Sequence, residues 1–425
     1  MQSLQSFAFI LIFVAVAFDV CKSDDCSNPL KIITVSQSGK ADFKTIQSAI
    51  DSVPAGNSQW IHIQISSGVY KEQVLIPINK PCIYLEGDGS HSTSIEWGSH
   101  ENATFISKAD NTAAKGITFT NTLNSPVLLE ATNITQARAA KIHADKCAFY
   151  SCSFLGVQDT LNDDYGRHYY NNCFIQGAVD FIYGQGQSLF EESTIYFSTG
   201  KSGVKKNGVI AAQYRDSPND PSGFVFNKCN ITGTGGKFLL GRAMDAYARV
   251  IVANSYISDG VKPEGWSQTT YVGHESNLTF VEEGCKGPGA DKSKRVKWMK
   301  SLSRPELDKF LNISFIDDGV APRRQADIVY NTLEDLAHME AEQVPVDIED
   351  IHEVPAGVDQ VHVAMEEVPV NTEQVLIVDE EVYVAAEQVL IIDEDATHTD
   401  IEATARASKE EYVHIDGAFQ GGPSG

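Results

Sequence analysis

Cysteine is scarce in this chain, with 8 in 425 residues. So few, spread so widely, cannot build a disulfide scaffold, so the fold must rest on a hydrophobic core, for which the chain is long enough. Positive charge is short as well: 33 Lys and Arg stand against 57 Asp and Glu, a formal net charge of -24. That excess is local, because 22 of the acidic residues and 2 of the basic ones lie from Glu340 onward. The remainder is close to neutral, which argues against a nucleic-acid partner. No apolar run reaches bilayer length. The run Phe7 to Phe18, 12 residues long, is too short to span a membrane and reads as part of a secretory signal peptide over residues 1–23. A soluble, secreted, extracellular mature protein is therefore expected, with no membrane partner. A Gly-x-Ser-x-Gly elbow is missing, and the 11 histidines are scattered without metal-ligand spacing to Cys or Asp. Neither a serine hydrolase nor a metal-dependent hydrolase finds support.

Five Asn-x-Ser/Thr sequons, at Asn102, Asn133, Asn230, Asn277 and Asn312, agree with an extracellular address and are the glycosylation candidates. Near the N-terminus, Phe43, Ile46, Ile50 and Val53 mark one face of a short helix that Pro54 ends. Such a helix could cover the open end of a β structure. Short β-rich runs follow at Trp60–Ile65, Val74–Ile76, Cys82–Leu85 and Gly116–Thr120.

A repeat then emerges. Cys152, Cys173, Ser193, Cys229 and Ser255 are each followed at the second position by an apolar residue: Phe154, Ile175, Ile195, Ile231 and Ile257. The spacings are 21, 20, 36 and 26 residues. Coils of that size with variable loops predict a parallel β-helix. Asn171, Asn172, Asn227 and Asn254 suit the tight bends between strands. A β-sandwich is the alternative, but its hairpin signal, Asn207-Gly208, falls in an expected loop. Cys152 and Cys173 share a register and are either bridged or stacked as thiols. Beyond about Pro322 the composition changes. Glu373 to Asp379 (EQVLIVD) recurs as Glu387 to Asp393 (EQVLIID) 14 residues later. This acidic segment, 321–425, is expected to be largely disordered, with Val/Ile runs able to form strands if covered.

Two aspartates hold equivalent places in consecutive coils. Asp159 and Asp180 each lie seven residues after a cysteine, and they are 21 residues apart. Stacking would set their backbones about 5 Å from each other. Two carboxyls that close resist joint ionisation, so one is expected to be raised and the other held down. That suits one nucleophile and one acid/base.

Five motifs occur here in the order found in plant pectinesterases: Gly68-Val-Tyr-Lys-Glu72, Gln136-Ala-Arg-Ala-Ala140, Gln158-Asp-Thr-Leu161, Asp180-Phe-Ile-Tyr-Gly184 and Leu240-Gly-Arg242. The chain resembles that family over roughly residues 30–318, in its short form without an inhibitor-like pro-region. The resemblance implies a right-handed parallel β-helix with an N-terminal capping helix over 24–320, followed by the acidic tail. It implies hydrolysis of methyl esters of polygalacturonate (pectin), with Asp180 as nucleophile and Asp159 as acid/base. Gln136 and Gln158 would be the oxyanion donors, and Arg242 would hold Asp180 ionised. Gln136 lies 22 residues before Gln158, one coil away. Arg242, Met244 and Trp266 would contact substrate. No cofactor and no metal are implied, and the partners are pectin and a proteinaceous pectinesterase inhibitor, with a monomeric enzyme.

The family pattern is broken after Leu240-Gly-Arg242, where Ala243-Met244 stands in place of a tryptophan-bearing pair. It is also broken at Asn162, where the family often has Tyr, and more mildly at Tyr183. These losses favour, as the alternative, a catalytically weakened pectin-binding protein of the cell wall. A lyase or polygalacturonase on the same fold is argued against by the paired glutamines.

Overall fold

The computed structural model describes residues 26–124, 134–199 and 207–316, together with the backbone of 376–378 and 381–383. Three parallel sheets, of 10, 8 and 8 strands, run through the first of its two compact units, Met1–Val346. Within each sheet the neighbours are strands about three apart in the chain, so each turn of the chain gives one strand to every sheet. That is a parallel β-helix, as the repeat predicts. Parallel strands covered on both faces carry the continuous Val, Ile and Phe runs seen here.

The repeat is the ladder itself. Phe154 pairs with Ile175, Ile175 with Ile195, Ile195 with Ile231 and Ile231 with Ile257. All five are buried. The residue just before each small bend residue takes a left-handed backbone: Ser151, Asn172, Glu192, Lys228 and Asn254 have φ between 48° and 55°. Asn172 and Asn254 thus fill the position that tolerates αL, whereas Asn171 and Asn227 stand one residue earlier and do not. Asn227 instead bridges coils, accepting from Asn254 Nδ2 at 3.0 Å and donating to Glu191 at 3.0 Å. The Gly116–Thr120 run is broken at Gly116 by the same bend, between strands Thr112–Lys115 and Thr118–Asn121.

Inside the coils, Phe149, Tyr170, Phe190 and Phe226 stack with ring centroids 5.1, 4.5 and 4.7 Å apart. The alternate residues Tyr169, Leu189, Val225, Ile251 and Val281 face outward. They are covered by Leu307, of the helix Arg304–Leu311, and by Phe315 and Ile316. The N-terminal helix runs from Ile46 to Ser52, capped by Thr45, and buries Ile46, Ala49 and Ile50 against the first strands.

Cys152 and Cys173 are free, buried thiols. The Cys173 thiol donates to the carbonyls of Phe149 and Asn171, each at 3.4 Å. Strand spacing also holds stacked side chains farther apart than the roughly 3.8 Å between Cβ atoms of a bridge. The disulfide lies elsewhere, between Cys26 and Cys82, 56 residues apart. The expected signal peptide, Asn133 and nearly all of the acidic tail lie outside the described residues. Within the tail, Leu376–Val378 pairs antiparallel with Glu381–Tyr383. Asn102, Asn230 and Asn312 are exposed and Asn277 is half-buried.

Candidate active site

Both aspartates sit in the same bend. Asp159 has φ 62° and Asp180 φ 48°. Each follows a glycine by three residues, and the residue after each aspartate folds over that glycine. A Cβ on Gly156 would lie 2.6 Å from Thr160 Oγ1, and one on Gly177 would lie 2.2 Å from Phe181 Cβ. The bends stack: Gln158 bridges to Val179, and Asp159 N–H donates to the Val179 carbonyl at 3.0 Å. The two aspartates therefore occupy neighbouring rungs, with 6% and 7% of their surface exposed.

Arg242 lies on strand Lys237–Ala243, two strands on from Asp180 in the same sheet. Its guanidinium clamps Asp180 with two bonds, Nε to Oδ1 at 2.8 Å and Nη2 to Oδ2. A bidentate pair fixes the carboxylate plane as well as its charge. Burial lifts the Asp180 carboxyl above the ordinary range, and Arg242 opposes the rise. The expectation that one member of the pair is held down is corrected accordingly: both are raised, because both are desolvated. Asp159 has no such clamp. Burial first and the Asp180 charge second push it up to about 7.

Gln136 is exposed and Gln158 half-buried. Ala137 N–H donates to the Gln158 carbonyl at 3.1 Å, so the two glutamines stand on adjoining coils. Neither side-chain amide is spent on another described residue. Trp266 is not a surface platform. It is 1% exposed, its ring is 5.0 Å from that of Phe280, and its indole N–H donates to Glu282 at 2.8 Å. Its strand faces that ring into the core, which overturns its assignment to substrate contact. Met244 is half-buried just after Arg242, and its carbonyl accepts from Tyr271 Oη at 3.3 Å. Asn162 is buried and donates to the Tyr183 carbonyl at 3.4 Å.

Three groups near the pair are given no site role by the sequence. Tyr183 and Tyr214 lie with ring centroids 6.5 Å apart, both half-buried. The charges of Asp180 and Asp159, after burial, raise the Tyr214 phenol, which places it beside the pair. Arg138 is the third. Ala137 and Ala139 donate to the carbonyls of Gln158 and Thr160, so Arg138 occupies the rung next to Asp159. Its signal was available: Arg138, Asp159 and Asp180 are spaced 21 and 21 residues apart.

Fold and site together define a β-helix protein with two buried carboxyls on neighbouring rungs, one of them clamped by an arginine, flanked by uncommitted amides and tyrosine rings. The family model described as Pectinesterase matches residues 32–319. Probable pectinesterase 29 of Arabidopsis thaliana is 46% identical over 293 residues, covering 68% of this chain and 87% of that protein. Probable pectinesterase 55 of the same plant is 45% identical over 299 residues, covering 69% and 90%. Among solved structures, the pectin methylesterase from carrot is 30% identical with a TM-score of 0.63, covering 69% of this chain and 95% of that one. The chain belongs to the pectinesterase family and is a carboxylic-ester hydrolase.

Proposed function

We propose that this enzyme removes methyl esters from polygalacturonate, with Asp180 as nucleophile and Asp159 as acid/base. An Asp180 oxygen attacks the ester carbonyl carbon. The amides of Gln136 and Gln158 donate to the oxyanion that forms. The tetrahedral intermediate collapses as Asp159 gives its proton to the departing methoxide, leaving methanol and an acyl group on Asp180. Water then attacks that acyl group, Asp159 takes the proton, and Asp180 is freed. Tyr183, Tyr214 and Met244 offer the surfaces for the sugar rings. An oxidising destination outside the cell fits the apolar leader and the Cys26–Cys82 bridge.

One observation carries the reading: Asp180, clamped by Arg242, stands beside an Asp159 whose carboxyl is raised to about 7. A nucleophile needs its charge and its orientation, and an acid needs a proton near neutrality; the two environments supply these separately. Losses at Met244 and Asn162 leave those groups in place, so the reading of a weakened binding protein is less favoured. Methanol release from esterified pectin is the test. The parent protein is expected to release methanol, and Asp180→Asn to lose at least about a thousandfold in kcat. No release by the parent would overturn the function, and a variant within tenfold of the parent would remove Asp180 as nucleophile.

A further inference from the structure

Asp180 and Arg242 belong to one of the eight-stranded sheets. Two cations stand on a different surface, the outer face of the ten-stranded sheet. Arg249 begins the strand Arg249–Ala253, two residues before the outward-facing Ile251, and residues two apart share a face. Lys300 bridges in parallel to Val281, which also faces outward, so it extends that face by one rung. Neither cation makes an ion pair among the described residues. Arg249 Cζ lies 5.2 Å from the centroid of the Phe310 ring, and its Nη1 donates to the carbonyls of Pro221 and Ser222 at 2.9 and 3.1 Å. Its Nε is buried without a partner. The Lys300 ammonium makes no hydrogen bond among the described residues.

Like charge crowds this place further. Arg215 is buried and spends its guanidinium on the carbonyls of Asp220, Tyr247 and Pro218 at 2.7, 2.9 and 2.7 Å, so its charge is not paired with a carboxylate. Burial first, then the charge of Arg215, lowers Arg249 to about 10, and Asp220 opposes the fall. Burial, then Arg215 and Arg249, lowers Lys300 as well. Asp220 itself is spent: its oxygens accept from Gln185 Nε2 at 2.7 Å and from the Ser222 N–H at 2.8 Å.

Half-buried cations that repel one another are costly to hold unless an anion joins them. A guanidinium and an ammonium with unspent donors suit a group in which two or more oxygens share the negative charge. We infer that Arg249 and Lys300 bind an oxyanion at a site separate from the aspartate pair, either a free carboxylate of the de-esterified polymer or an inorganic anion such as phosphate. The first source rests on the proposed substrate and the second does not.

The test uses the full chain, with phosphate binding followed by calorimetry at constant ionic strength. Arg249→Gln also breaks the bonds to Pro221 and Ser222, so Lys300→Gln is the deciding variant. It is expected to bind phosphate about tenfold more weakly, the size of one charge-assisted contact, while Lys300→Arg binds like the parent. In phosphate-free buffer of low ionic strength Lys300→Gln should melt no lower than the parent, because a repelling charge has left. Added phosphate should then raise the parent's midpoint more than the variant's. De-esterified trigalacturonate added to the phosphate-bound parent separates the sources: release of phosphate identifies the polymer, and retention identifies the free anion. Phosphate binding that is absent from the parent, or equal in parent and Lys300→Gln, overturns the site. So does a lower midpoint of the variant with an unchanged response to phosphate. Methanol release by Lys300→Gln from esterified substrate should match the parent's. If the parent releases none while the phosphate difference persists, the esterase reading fails and the anion site stands.

Discussion

Protonation of Asp159 governs the pH behaviour expected of this chemistry. Its carboxyl is raised from the ordinary range to about 7, by burial and then by the charge of Asp180. In the proposed acid role, Asp159 carries below that value the proton that methoxide needs, and above it the proton is lost. Acylation is therefore expected to fall as pH rises through about 7, and kcat/KM, which reports the free enzyme, should show that limb. A profile of kcat/KM that stays level from pH 6 to 9 would take Asp159 out of the acid role. Arg242 bears on the same balance from the other side, because a guanidinium bound to Asp180 partly cancels the charge that Asp159 feels.

Among the strands, Arg167–Asn171 holds a buried ionic arrangement apart from the site. His168 Nδ1 lies 2.7 Å from Asp163 Oδ1, and its Nε2 lies 2.8 Å from the Ala144 carbonyl. Both facing groups are acceptors, so both nitrogens donate and the ring is an imidazolium. Burial alone would lower its pKa, but Asp163, the Ala144 carbonyl and Asp145 raise it above the usual histidine value. A raised folded-state pKa contributes stability that is complete below the unfolded value of about 6.5 and lost as pH climbs through the folded value. Thermal midpoints should therefore decline toward alkaline pH. His168→Gln should cost about 3 kcal/mol at pH 6 and flatten that decline. Denaturant and thermal unfolding at pH 6 and pH 9 would check both, and an equally steep decline in the variant would refute the assignment.

These elements also show what the sequence made legible. The interior ladder from Phe154 to Ile257 was readable because the same two-residue pattern recurs in coil after coil. The helix at Ile46–Ser52 was readable from its apolar face. The carboxyl pair was readable from a shared offset to two cysteines. The Cys26–Cys82 bridge was not, because its partners lie 56 residues apart outside any repeat. Trp266 was misread because a motif gives no strand direction, and inward and outward faces alternate residue by residue. Arg138 lay within a quoted motif, and its place beside Asp159 was readable from the same 21-residue offset that aligns the two aspartates.

For the whole molecule, charge is divided unevenly along the chain, with 22 of 57 acidic residues and 2 of 33 basic residues from Glu340 onward. De-esterification makes the polymer an anion, so a tethered acidic segment should repel product more than esterified substrate, and salt should screen the effect. Truncation after Val320 is expected to preserve folding and ester hydrolysis and to tighten binding to de-esterified pectin at low ionic strength. Comparing full-length and truncated protein across a salt series tests this. Equal affinity at low salt would exclude the electrostatic role, and loss of soluble protein would show that the segment belongs to the fold.

Stacking uncouples the length of a loop from the distances within the site. From Ser193 to Cys229 the chain takes 36 residues, against 20 in the preceding coil, yet Ile195 and Ile231 still pair in register. The surplus leaves and rejoins the stack without shifting a rung. Reach and grip on the polymer can thus be altered by lengthening loops while the spacing of Arg138, Asp159 and Asp180 stays set by hydrogen-bonded strand separation. Such a scaffold can diverge in which stretch of polymer it prefers without having to reinvent how it breaks the ester.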